Sequence, residues 1–136
     1  MNKQHQTHIL RISYWTGAII DALAAIKLLL PNLWTSMDGF PANTQNTTLT
    51  FALTTASALM FGWTLLLIWA DRKPMERKGV LLLTAFPVVF GLALNNISSV
   101  ASGLRPLSST LPELALQSAL TILFIFSYLN ARKNPS

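Results

Sequence analysis

Long apolar runs separated by short polar segments set the pattern of this chain. Uncharged stretches lie between Asp38 and Asp71, between Lys78 and Arg105, and between Glu113 and Arg132. A further apolar run, from about Ile12 to Leu30, carries only Asp21 and Lys27. A bilayer core of about 30 Å requires roughly 20 apolar residues of a helix. The pattern therefore predicts an all-α protein, a four-transmembrane-helix antiparallel bundle in one membrane domain. Its spans are expected over about residues 11–31, 49–70, 78–101 and 112–130.

Composition supports this reading. Hydrophobic residues make up 51% of the chain and charged residues 11%, against about 25% charged in a soluble domain. A chain this short could not hide four all-apolar helices from water. The net charge of +5 raises the question of nucleic acid. The cations bracket the apolar runs and form no separate basic face, so lipid is the expected partner and nucleic acid is not.

Orientation follows from where those cations fall. Lys3 and Arg11 precede the first span, Arg132 and Lys133 follow the last, and Arg72, Lys73, Arg77 and Lys78 crowd the middle turn. Eight of the ten Lys and Arg thus share one side, leaving Arg105 in a loop opposite and Lys27 within a span. The positive-inside rule places both termini and the middle turn in the cytoplasm of a prokaryotic inner membrane. There Arg72, Lys73, Arg77 and Lys78 act as a headgroup anchor, or as a dock for an anionic lipid. Trp69, Trp34, Tyr14, Trp15 and Tyr128 sit where aromatic belts occur, while Trp63 is deeper and suits packing. Ala22-Leu23-Ala24 mimics a signal-peptide cleavage site, but Asp21 before it and the apolar run after it argue for a retained span.

The connections carry ordinary breakers. Pro31 to Thr48 is the longest loop, and its Asn46-Thr47-Thr48 matches a glycosylation acceptor lying almost against the membrane. Pro74 suits the first turn of the third helix, where a missing N–H costs nothing. Thr110-Leu111-Pro112-Glu113 has capping-box spacing and should open the fourth.

Recognisable reaction chemistry is absent. The chain has no cysteine, which removes disulfides and thiolate metal sites. His5 and His8 belong to the N-terminal tail, so no span offers a haem ligand. No HExxH, GxSxG, GxGxxG or Walker pattern occurs. No cofactor, metal or catalytic residue is assigned.

Polar and small residues within the spans carry the more specific signal. Pro87, Gly91, Asn95 and Ser99 recur every four residues and share a helix face, with Asn96 and Ser98 beside them. Comparable rows are Glu113, Gln117 and Thr121 in the fourth span, Gly17, Asp21 and Ala25 in the first, and Ala58 and Gly62 in the second. Small residues let helices approach closely in lipid, so these rows are expected to face the bundle interior. At 1.5 Å per residue, Lys27 lies roughly 24 Å from the edge near Arg11 and Asn95 about 25 Å from Lys78. Gln117 lies about 9 Å below the outer edge near Leu111. Asp21, Lys27, Asn95, Asn96 and Gln117 are therefore expected to line a polar pocket in the outer half. Thr54, Thr55 and Ser57 reach the same level.

One resemblance is carried by Tyr14-Trp15-Thr16-Gly17 with Asp21, by Gly62-Trp63-Thr64-Leu65-Leu66-Leu67 and by Trp69-Ala70-Asp71-Arg72-Lys73-Pro74. With these the chain resembles small uncharacterised prokaryotic integral membrane proteins of four helices. Arg11, Gly17, Lys27 and Pro31 give a looser similarity to DoxX-like proteins. The resemblance implies the four-helix fold and brings no activity with it.

Three functional readings stay open. The first is a protein that binds a lipid or small hydrophobic molecule in the outer polar pocket, which requires an internal cavity. The second is a structural or accessory subunit, alone with lipid or paired with a second copy or another membrane protein. It requires polar pairs that fill the centre and small residues that face outward. The third is a membrane-embedded enzyme using Asp21 or Glu113, which needs two ionisable groups on one proton path.

Overall fold

A computed structural model of the protein describes residues 3–41 and 46–132. Lys133, and the side chains of Lys3, Pro31 and Trp34, lie outside the described residues. All regular structure among the described residues is helical. Helix α1 covers Lys3–Leu28, a short α2 covers Pro31–Asp38, and α3 covers Thr47–Asp71. The third long helix runs Gly79–Ala101, as α4 (Gly79–Leu83), a π-helical segment (Thr84–Phe90) and α5 (Gly91–Ala101). Helix α6 covers Leu107–Arg132. Four of these helices are long and apolar enough to cross a membrane.

Boundaries follow local chemistry. Asn46 caps the start of α3 by accepting a hydrogen bond from the Leu49 N–H at 2.7 Å, so the residue that resembles a glycosylation acceptor opens a helix. Helix α2 ends at Gly39, whose φ of 71° is left-handed and favours glycine. A Cβ there would also stand 2.9 Å from Ser109 Oγ. Two expected starts are displaced. Pro74 lies buried in the turn ahead of the third helix, which opens at Gly79. Helix α6 opens at Leu107, ahead of the Thr110–Glu113 box, and Thr110 donates to the Pro106 carbonyl at 3.1 Å.

Helix α1 packs against both α3 and α6, and the third helix packs along α6. Trp63 of α3 reaches the third helix, its Nε1 donating to Thr84 Oγ1 at 3.1 Å, in the packing role its depth suggested. The core joins Leu10, Tyr14 and Ala18 to Leu67, Leu81, Ala85, Leu120 and Phe124. Interhelical hydrogen bonds supplement it. The Ser13 and Ser127 hydroxyls meet at 2.6 Å, and Ser57 donates to the Ala25 carbonyl at 2.7 Å. Gly17 marks a close crossing, since a Cβ there would lie 3.0 Å from Phe124 and 3.1 Å from Leu67.

Around this core the outside is apolar. Phe51, Leu59, Leu65 and Ile122 are all about two-thirds exposed or more. Such a surface is costly in water and ordinary in hydrocarbon. Gln6 donates to the Asn130 carbonyl, Tyr14 to that of Arg77, and Lys78 to that of Ala131. These contacts bring the start of α1, the 72–78 turn and the end of α6 to one end. The long helices therefore alternate in direction.

The third helix corrects one expectation. Pro87, Gly91 and Asn95 face outward, as do Ala58 and Gly62 of α3, while Asn96 turns inward. Proline cannot donate the i→i−4 hydrogen bond, and the helix widens around Pro87 into the π segment. An unbroken α-helix in phase with inward-facing Leu81 returns to the interior roughly at residue 95. The wider turn adds about one residue and presents Asn96 instead.

Gly17→Val should lower stability by about 1–3 kcal/mol through overpacking against Phe124 and Leu67. Thermal unfolding in detergent checks this, with exposed Gly62→Val expected to change little.

Candidate polar site at the outer end

The end opposite the basic turn gathers charged and polar groups from five segments. Lys27 leaves the last turn of α1, and its Nζ donates to Asp38 Oδ1 and, at 3.3 Å, to Glu113 Oε1. Arg105, in the loop before α6, donates from Nε to the Asp38 carbonyl at 2.7 Å. Its Nη1 donates to Asn96 Oδ1 at 3.0 Å and to Glu113 Oε2 at 3.1 Å. Asn96 Nδ2 in turn reaches Glu113 Oε2 at 3.1 Å and Gln117 Oε1 at 3.3 Å. Ser109 Oγ adds a bond to the Asp38 carbonyl at 3.2 Å.

Two cations and two carboxylates thus meet, and their formal charges cancel. The Arg105 and Asp38 side chains are only 4% and 6% exposed, whereas Lys27 and Glu113 are 24% and 30% exposed. The inner pair is sealed and the outer pair opens to the surroundings. Burial holds the Asp38 carboxyl above its ordinary value, with the Lys27 ammonium opposing the shift and the neighbouring Glu113 carboxylate adding to it. The Arg105 guanidinium also lies 5.2 Å from the Phe40 ring centre, within cation–π range.

Helix α2 owes its place to this network. Its last residue, Asp38, is tied through the side chain to α1 and through the carbonyl to Arg105 and Ser109. The eight-residue helix lies across the end of the bundle with Thr35 and Asp38 buried and Leu33 and Met37 exposed.

Of the residues expected to line an outer pocket, Lys27, Asn96 and Gln117 come together here. Asn95 is exposed on the outer face of α5, one residue out of phase. Asp21 lies away from the network on half-buried α1 surface, and its Oδ2 finds no hydrogen-bond partner among the described residues. Thr54 and Thr55 are exposed, and their hydroxyls bond back to Thr50 and Phe51 carbonyls of their own helix. Ser57 is buried against α1. Sequence reasoning does not single out Asp38, Arg105 and Glu113 as a group. A usable signal exists, because the two cations outside the basic clusters are matched by two acids near the same ends.

At the basic end, Arg77 donates to the Trp69 carbonyl and stacks 3.3 Å from the Trp69 ring centre. Lys78 is tied to the Ala131 carbonyl, and Lys73 pairs with Glu76 at 3.1 Å. Arg72 and Lys73 are exposed. Tyr14 departs from the expected aromatic belt by being fully buried, while Trp15 and Trp69 are half exposed. A hollow of about 360 Å³ opens at this end, lined by Phe126, Leu129, Asn130 and Arg132. It does not touch the outer network. No group of three or more metal-ligating side chains occurs among the described residues.

No protein family, no curated protein and no solved structure matches this chain.

Arg105→Leu should cost about 3–5 kcal/mol, since it strands Asp38 and Glu113 beside a single cation. Unfolding in detergent measures this. Arg72→Leu, at an exposed site, should change stability by less than about 0.5 kcal/mol.

Proposed function

We propose that this chain is a multi-pass protein of a prokaryotic cytoplasmic (inner) membrane, with both termini and the basic turn in the cytoplasm. The charge distribution supports that orientation. Arg11, Arg72, Lys73, Arg77, Lys78 and Arg132 share one end, and the two cations at the other end are neutralised by Asp38 and Glu113. Lys and Arg are therefore concentrated on one side, which the positive-inside rule assigns to the cytoplasmic face. Arg72 and Lys73 meet anionic headgroups there.

Within that membrane we infer a non-enzymatic, structural or accessory role. The observation that carries it is the mutual pairing of the outer polar groups. Lys27 and Asn96 spend their hydrogen bonds on Asp38, Arg105, Glu113 and Gln117. The small residues Ala58, Gly62 and Gly91 face outward, where another helix can approach.

A second reading has its own support. Lys27 and Glu113 are the partly open members of the network, which offers a lipid or small amphiphile one group of each charge. Its ligand set is Lys27, Glu113, Asn96 and Gln117, without the outward Asn95 or the remote Asp21.

Thermal unfolding of the purified chain, with and without added phospholipid, separates the two. The accessory reading expects a wild-type Tm that phospholipid raises no more than it raises that of Lys27→Met. A larger wild-type rise, lost in Lys27→Met, would overturn it in favour of amphiphile binding.

A further inference from the structure

The outward face of α5 presents polar groups where the membrane reading places hydrocarbon. Asn95 is exposed, and its side-chain amide has no hydrogen-bond partner among the described residues, while its backbone carbonyl accepts from Ser99 Oγ at 2.9 Å. Ser98, one turn further on and also exposed, lies beside it. One turn earlier stands Gly91, where a Cβ would meet nothing within 4 Å. This open glycine lets another backbone come close. No residue between Gly79 and Leu104 is charged, so two such faces meet without like-charge repulsion.

An amide left without a partner in lipid is unfavourable, because acyl chains offer neither donor nor acceptor. The side-chain amide of asparagine carries both. It is therefore complementary to itself. Every copy of the chain inserts in the same sense, so a two-fold axis along the membrane normal brings identical residues together at identical depth. Under that symmetry Asn95 meets Asn95, with Gly91 on one side and Ser98 on the other. A partner of different sequence would have to supply this donor–acceptor pair at the same depth. A second copy supplies it by construction.

We propose that the outward face of α5 pairs with the same face of a second copy, Asn95 against Asn95, forming a parallel dimer within the membrane. This dimer rests on the membrane reading, since only lipid makes the exposed amide unfavourable. The π turn around Pro87 is what creates the interface. By shifting the phase of the helix, it gives Asn96 to the interior network and leaves Asn95 for the neighbour.

The chain contains no cysteine, so single cysteines can be introduced for oxidative crosslinking. Full-length Ser98→Cys protein, alone in phospholipid vesicles and retained after a carbonate wash, should crosslink as a dimer. Ile122→Cys, which lies 69% exposed on α6, should not. Adding Asn95→Leu to Ser98→Cys should weaken dimerisation about 3–20-fold, the range that interhelical hydrogen bonds support. Asn95→Gln in the same background should retain most of it. Carbonate-resistant protein in which Ser98→Cys crosslinks no better than Ile122→Cys would overturn the dimer and leave the membrane reading standing. So would crosslinking that Asn95→Leu does not change. Release of the chain by carbonate would overturn both.

Discussion

Two cations at the end of an apolar helix bundle need partners, and the need to pair Lys27 and Arg105 organises the outer end. Removing an ion from water costs several kcal/mol, which only close pairing and further hydrogen bonds offset. Asp38 and Glu113 provide the charge, while Asn96, Gln117, Ser109 and the Asp38 carbonyl engage or support the polar groups around them. Helix α2 folds back across the bundle because Asp38 must reach Lys27. The loop before α6 turns inward because Arg105 must reach Asp38 and Glu113. The same pairing leaves this end with no formal net charge among Lys27, Arg105, Asp38 and Glu113. One electrostatic requirement thus sets the course of both connecting segments.

The two ends differ in how their charges are used. At the basic end, Arg77 and Lys78 fasten the turn to neighbouring carbonyls, and Arg72 and Lys73 remain exposed. At the outer end the polar groups are turned toward one another. Between them the interior is apolar packing punctuated by Ser13–Ser127 and Ser57–Ala25 contacts. Asp21 is the one acid at mid-depth, and it stands apart from both ends. A protein built this way has its unpaired polar chemistry on lateral faces and at the basic end, in keeping with the proposed role in assembly.

Much of the fold was legible because helix length and charge placement are direct consequences of bilayer thickness and desolvation. The four long helices fall within a few residues of expectation, apart from α1 and α6, which begin earlier. Helix rotation was less legible. Asn95 and Asn96 differ by about 100° around an α-helix, so the face depends on phase, and the wider turn at Pro87 altered it. The small-residue rows were equally ambiguous, because close approach serves an internal neighbour and an external one alike. Depth and the polar rows of the helices single out Lys27, Asn96 and Gln117. They do not single out the acidic and basic partners, since Asp38 and Arg105 lie in connecting segments whose inward folding is a tertiary effect. Glu113 was read as a capping residue because its spacing to Thr110 satisfied a local rule that the earlier start of α6 made irrelevant.

The most direct measure of this account is the coupling between Arg105 and Glu113. A double-mutant cycle with Arg105→Leu, Glu113→Leu and the double variant, followed by unfolding in detergent, isolates it. The account predicts that the double variant is more stable than the sum of single losses implies, by about 1–3 kcal/mol. Losses that add within about 0.5 kcal/mol would show that the two side chains act independently and that the outer end is held by something other than this pairing.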